Sequence, residues 1–102
     1  MVKIAIVGQS RPLLIGGTSA SAPLFASILT RINEERLERG KKTVGFVNPV
    51  LYANPQAFND VTTGSNPGCG TIGFPAKKGW DPVSGLGSAD YGRLRKVLLA
   101  LP

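Results

Sequence analysis

The sequence predicts a mixed α/β fold, and three stretches predict it. Lys3-Ile4-Ala5-Ile6-Val7 is an apolar run of strand length closed by Gly8. Ala20 to about Glu38 carries Phe25, Ile28, Leu29 and Ile32 at helical spacing. Toward the other end, Leu94, Val97, Leu98 and Leu101 mark a second helical stripe. With 102 residues, the chain amounts to one domain or part of one.

The first strand is expected to be buried, to turn at Gly8, and to pair with Leu13-Leu14-Ile15 as a hairpin, where Pro12 favours an edge position. Ala20 to Thr30 holds no charge, so this half of the long helix needs cover on every side. From Arg31 the pattern becomes amphipathic, and Glu34, Glu35, Arg36, Glu38 and Arg39 read as a solvated face. Glu34 and Glu35 point about 100° apart on a helix and cannot share one site. Gly40 is the expected stop.

Asn48-Pro49 starts a short helix that ends before Pro55. From Phe58 to Gly87 the chain is rich in glycine and proline and reads as irregular. A loop of that length rarely persists in a compact domain without a task. Ser88 or Asp90 then caps the last helix, with Arg93, Arg95 and Lys96 outward.

Composition removes several classes of function. Hydrophobic residues at 42% argue against disorder. No apolar run reaches the roughly 18 residues of a membrane span, and the first seven residues are too short for a signal-peptide core. The expectation is therefore no membrane and no secretion address in this stretch. A net charge of +6 permits an acidic partner, but the basic residues are scattered and no nucleic-acid motif accompanies them. The one cysteine, Cys69, cannot form an internal disulfide; it reads as a small buried or idle thiol, or as one that bridges to a partner. With no histidine, Ser-His and Cys-His mechanisms within this chain are excluded.

Two motifs carry chemistry. Gly16-Gly17-Thr18-Ser19-Ala20-Ser21-Ala22-Pro23 puts flexible glycines, then hydroxyls, then a first-turn proline ahead of the long helix. Thr18, Ser19 and Ser21 are candidate caps. Ser19 falls where unpaired amides and the positive end of the helix dipole converge, a place that suits a nucleophile or an anion. The second motif is Phe58-Asn59-Asp60-Val61-Thr62-Thr63-Gly64 with Gly79-Trp80-Asp81-Pro82-Val83-Ser84-Gly85-Leu86-Gly87. Asp60 alone reads as a turn residue. Paired with Asp81 across a glycine-rich loop, it suits a hard cation such as calcium, with loop carbonyls completing the shell.

In order and spacing these motifs, with Val47-Asn48-Pro49-Val50-Leu51-Tyr52 between them, resemble the C-terminal part of the sedolisins, the serine-carboxyl peptidases, including fungal tripeptidyl-peptidase-like members. The likeness runs from about Gly16 to Pro102 and is thin before that. It implies that residues 1–102 are the C-terminal fragment of a subtilisin-like catalytic domain, with a hairpin or short strands, a long central helix, a calcium-binding loop and a C-terminal helix. It also implies that Ser19 is the nucleophile. Asp60 and Asp81 would be side-chain calcium ligands, and Val61, Lys77 and Gly79 would supply backbone carbonyls to one structural Ca2+. Many relatives have glycine where Lys77 stands, and Lys77 and Lys78 bring positive charge near the ion. Substrates would be peptides or proteins, at acidic pH and outside the cell.

In the family, the glutamate base, its aspartate partner and the oxyanion-hole aspartate lie well upstream of the nucleophile. Here 18 residues precede Ser19 and none is acidic. The glutamates at 34, 35 and 38 lie roughly 20 Å or more down the same helix. The expectation is a fragment, from a truncated gene product or a partial gene model, that is inactive alone and prone to self-association through its uncovered helix. The alternatives are a non-catalytic basic binding module that holds phosphate or nucleic acid at Gly16–Ser19, and a pseudo-enzyme subunit that docks on a chain carrying the acids.

Overall fold

The computed structural model describes residues 3–8 and 11–102, with side chains from Pro12 onward. β1 (Lys3–Gly8) pairs antiparallel with β2 (Arg11–Gly16), in a register that sets Ile4 opposite Ile15 and Ile6 opposite Leu13. The hairpin is therefore as expected. The turn after Gly8 and the burial of Lys3–Val7 lie outside the described residues and side chains.

α1 (Thr18–Glu38) begins two residues earlier than the periodicity suggests. Its N-cap is Gly17, at φ 122° and ψ 177°, a conformation that a residue with a Cβ rarely adopts. None of the three hydroxyls caps the helix; Ser21 Oγ instead donates to the Gly17 carbonyl at 3.2 Å. The early start leaves Pro23 inside the helix rather than in its first turn. Having no N–H, Pro23 cannot pair with the Ser19 carbonyl four residues back. α1 ends in a Schellman motif: Gly40 N–H donates to the Leu37 carbonyl and Lys41 N–H to that of Arg36, with Gly40 left-handed at φ 73°.

α2 (Asn48–Ala53) has Val47 as its N-cap, and a 3-10 turn over Pro55–Ala57 follows. β3 (Phe58–Asn59) and β4 (Ser88–Ala89) pair antiparallel and bracket the long loop, which is otherwise irregular, as expected. α3 (Tyr91–Ala100) is capped by Asp90, whose Oδ1 accepts the Arg93 N–H at 2.9 Å.

The core gathers Ile32 of α1, Leu51 of α2, Ala57, and Leu94, Leu98 and Leu99 of α3. Val97 and Leu101 pack against it only in part, so the buried stripe of α3 runs through Leu99 as well.

The expected solvated face of α1 needs correction at two positions. Arg36 is only 2% exposed. Its guanidinium donates to the carbonyls of Lys42 (2.7 Å), Leu98 (2.6 Å), Leu101 (3.1 Å) and Pro102 (2.8 Å), which ties α1 to the end of α3. Lys41 Nζ adds bonds to the Leu99 and Leu101 carbonyls. The last carbonyls of a helix have no intrahelical N–H donors; here a buried cation supplies the donors. Glu35 is half-buried and takes Arg95 of α3 through both carboxylate oxygens, and also Arg39 one turn on. Helical periodicity placed these side chains outward because it cannot register that α3 crosses there.

Much apolar surface stays uncovered. The accessible area is 7451 Å², against about 5,500 Å² for a compact monomer of this size. The radius of gyration is 16.3 Å, against about 13 Å. Leu13, Leu14, Leu24 and Phe46 are exposed, so the expectation that the uncharged half of α1 lacks cover holds at Leu24.

Replacing Arg36 with Met removes a donor from several carbonyls at once. Stability should fall by about 3 kcal/mol, read as a lower midpoint in urea unfolding followed by circular dichroism. The hydrogen bond from Arg95 holds the Glu35 carboxyl below the usual glutamate range, with Arg39 assisting and burial opposing. A carboxyl lowered by folding stabilises above its unfolded value of about 4.3 and loses that contribution as pH falls through the folded value. The melting-temperature advantage of the wild type over Glu35→Gln should therefore be constant near neutrality and shrink below about pH 4.

Candidate functional site

Ser19 is the second residue of α1 and is exposed. The first amide to donate within the helix is that of Ala20, to the Gly17 carbonyl at 3.0 Å. The amides of Thr18 and Ser19 come before it, at the electropositive end of a 21-residue helix. Pro23 leaves the Ser19 carbonyl without its helical donor as well. Ser19 thus has an open side chain on a backbone little engaged by the helix. It lies 13 residues before Ile32, about 20 Å from the core along the axis. The chemistry open to this position is nucleophilic attack assisted by a base from elsewhere, or anion binding.

The second region is the loop between β3 and β4. Asp60 follows β3, and its Oδ2 accepts the Gly79 N–H at 2.6 Å across the loop. Asp81 is 3% exposed. Its Oδ1 accepts the amides of Val83 (3.2 Å) and Ser84 (2.9 Å), and Ser84 Oγ lies 2.9 Å from both carboxylate oxygens. The Ser84 amide chiefly holds the Asp81 carboxyl below the usual aspartate range, opposed by burial and helped by the Ser84 hydroxyl and the Val83 and Lys77 backbone. The fold therefore links Asp60 with Gly79, while Asp81 closes on Val83 and Ser84 and Val61 simply follows Asp60. Among the described residues no three side chains of the His, Cys, Asp or Glu types converge. An ion in this loop would depend on main-chain carbonyls as much as on the two aspartates.

The seam that closes the loop is tight. A Cβ on Gly87, which has φ 101°, would lie 2.0 Å from the Asn59 carbonyl oxygen and 2.9 Å from Asp60 Cα. Only glycine lets the two strands approach this closely. Trp80 Nε1–H donates to the Tyr52 hydroxyl at 3.3 Å, which links the loop to α2. Cys69 is exposed at the loop's far tip, at φ 50°, so of the readings buried thiol, idle thiol and bridge to a partner, the buried one does not hold. Sequence reasoning missed Ser84, Arg36, Glu35–Arg95 and the contacts of Arg93. The one usable signal was the Asp81-to-Ser84 spacing, typical of a side chain closing its own turn.

No protein-family profile matches the chain. Individual proteins do. Tripeptidyl-peptidase sed1 of Aspergillus fumigatus is 64% identical over 99 residues, covering 97% of this chain and 15% of that protein. Aorsin of Aspergillus oryzae is 60% identical over 87 residues, 85% of this chain and 13% of its own length. Tripeptidyl-peptidase 1 of Dictyostelium discoideum is 42% identical over 101 residues, 94% of this chain and 17% of that protein. Similarity over nearly the whole chain to proteins named as tripeptidyl-peptidases defines a peptidase segment. The chain belongs to the sedolisin family, and it spans less than a fifth of the length of these relatives.

Gly87→Ala tests the seam. The added methyl group should force β3 from β4 and lower the melting temperature by several degrees, about 2 kcal/mol or more. Gly70→Ala at the loop tip, where a Cβ meets nothing within 4 Å, should cost less, and differential scanning calorimetry of both variants checks the order.

Proposed function

We propose that these residues form the C-terminal part of a sedolisin catalytic domain with a subtilisin-like fold, in which Ser19 is the nucleophile. The observation that carries the reading is an exposed Ser19 at the mouth of α1 in a chain 64% identical to a tripeptidyl-peptidase. In the complete enzyme, Ser19 Oγ attacks the scissile carbonyl of a peptide or protein substrate. A glutamate elsewhere in the enzyme takes its proton, an aspartate orients that glutamate, and a protonated acid helps hold the oxyanion. A carboxylate base suits acidic conditions, and the setting is extracellular. No described helix is long and apolar enough to cross a membrane.

The 102 residues alone do not turn over peptides. The dipole of α1 favours negative charge at Ser19 by about 0.3–1 kcal/mol. Loss of the partners of a catalytic triad costs on the order of a million-fold, about 8 kcal/mol. The first cannot offset the second.

The glycine-rich loop holds one structural Ca2+, with Asp60 and Asp81 as carboxylate ligands and Val61, Lys77 and Gly79 as carbonyl donors. The donor chemistry supports this: both carboxylates sit in a loop whose carbonyls are mostly unused by helix or sheet, and hard oxygens are what calcium takes. The hydrogen bonds that hold Asp81 ionised also keep it ready for a cation. The ion would draw the two ends of the loop together. At a hundredfold excess over its dissociation constant it would stabilise by about 2.7 kcal/mol.

Purified chain should show no Ser19-dependent peptidase activity between pH 3 and 5; a rate abolished by Ser19→Ala would refute this. Calcium should raise the melting temperature and Asp81→Ala should remove the rise, whereas a wild type indifferent to calcium would sink the ion site. With Leu13, Leu14, Leu24 and Phe46 exposed, the isolated chain should bind a hydrophobic dye or self-associate.

A further inference from the structure

Arg93 sits in the first turn of α3, and its guanidinium faces back toward the start of the glycine-rich loop. Nη1 donates to the Gln56 carbonyl at 2.9 Å. Nη2 donates to the Asn59 side-chain oxygen and, at 3.3 Å, to Asp90 Oδ2. Asp90 in turn caps α3, through the Arg93 N–H, and its own amide donates to the Ala57 carbonyl at 3.0 Å. One forked cation therefore joins the 3-10 turn, β3 and the N-terminus of α3. Asn59 is the residue before Asp60. Its main chain is fixed from the other side by Ser88 across the β3–β4 pair and by the close approach of Gly87. Asp60 thus leaves a backbone held on both faces and reaches the Gly79 N–H.

We propose that Arg93 is a positioning residue for the cation site, holding Asn59 so that the Asp60 carboxylate is set before the ion arrives. The proposal rests on the calcium reading of the loop given above. The physical argument is preorganisation: ligands held by outer partners bind a metal more tightly than ligands that must be ordered on binding, and loss of such a partner typically costs 10–100-fold in affinity. The fork matters more than the charge. A guanidinium satisfies two acceptors on different segments at once, whereas a lysine ammonium is a point charge on a flexible stem.

The sign of the effect separates this role from simple electrostatics. A positive charge near a cation site weakens it, so removal of the charge, which also frees Asp90, should tighten calcium if charge were all that Arg93 contributed. If Arg93 acts by holding Asn59, its removal weakens calcium.

The test is direct titration of the 102-residue chain with CaCl2 by calorimetry, alongside Trp80 fluorescence. Wild type is compared with Arg93→Met, Arg93→Lys, Asn59→Ala and the Arg93→Met/Asn59→Ala double variant. The expected result is a dissociation constant about tenfold weaker for each single variant, with no further loss in the double, because both remove the same link. Arg93→Lys should fail to rescue. Circular dichroism without calcium reports whether each variant folds, and Asn59→Ala, which changes no charge, serves if Arg93→Met does not. Tighter or unchanged binding in Arg93→Met, or additive losses in the double variant, overturns the proposal. No binding by wild type overturns the calcium reading itself and this inference with it.

Discussion

The chain is organised around a buried guanidinium. Arg36 reaches from the last turns of α1 to the carbonyls at the end of α3, and the apolar contacts of Ile32 with Leu94 and Leu98 form beside it. A charge this deep is stable only when its donors are met. The carbonyls of a helix end have the complementary deficiency, so the two meet each other's needs. Everything else follows from where that joint lies. It fixes the C-terminal half of α1, and with it the direction in which the other half projects.

That direction carries Ser19 away from the core. The helix acts as a rod with one end packed among α2, the 3-10 turn and α3, while the far end touches the β1–β2 hairpin. The packed end has an ion pair and a Schellman stop. The other end has a glycine cap, no side-chain cap, and a proline that strips the Ser19 carbonyl of its donor. Ser19 gains access in this way, and the fold accepts a first turn of low intrinsic stability. The exposed leucines of β2 and the first half of α1 show that this end has few apolar neighbours among the described residues.

The helices were legible in the sequence because their signals are local. Phe25, Ile28, Leu29 and Ile32 state the inner stripe of α1, and of the two cap candidates for α3, Ser88 and Asp90, it is Asp90 that caps. The hairpin pairing was legible from Lys3–Val7 and Leu13–Ile15, and its register was not. The start of α1 was misread because hydroxyls at Thr18, Ser19 and Ser21 look like caps, yet Gly17 reaches the needed conformation without one. Arg36 and Glu35 were misread as solvent-facing, since a periodic pattern carries no information on which neighbour crosses an element. The motif at Ser19 was plain, and so were Asp60 and Asp81. What joins Asp60 to Gly79, 19 residues on, depends on loop closure, which no spacing rule predicts.

The inner portion of the glycine-rich loop is a closed unit of its own. Ala76 N–H donates to the Gly64 carbonyl at 2.9 Å, Ser65 bridges Pro75, and the Asn66 side chain accepts the Phe74 amide. Both feet of this appendage therefore stand side by side, between Asp60 and Gly79 in the chain and short of both. Lengthening or shortening it alters closure entropy only slowly and leaves the anchoring points undisturbed. Evolution is free to redecorate this finger, in size and in side chains, without re-tuning the acidic residues at its base.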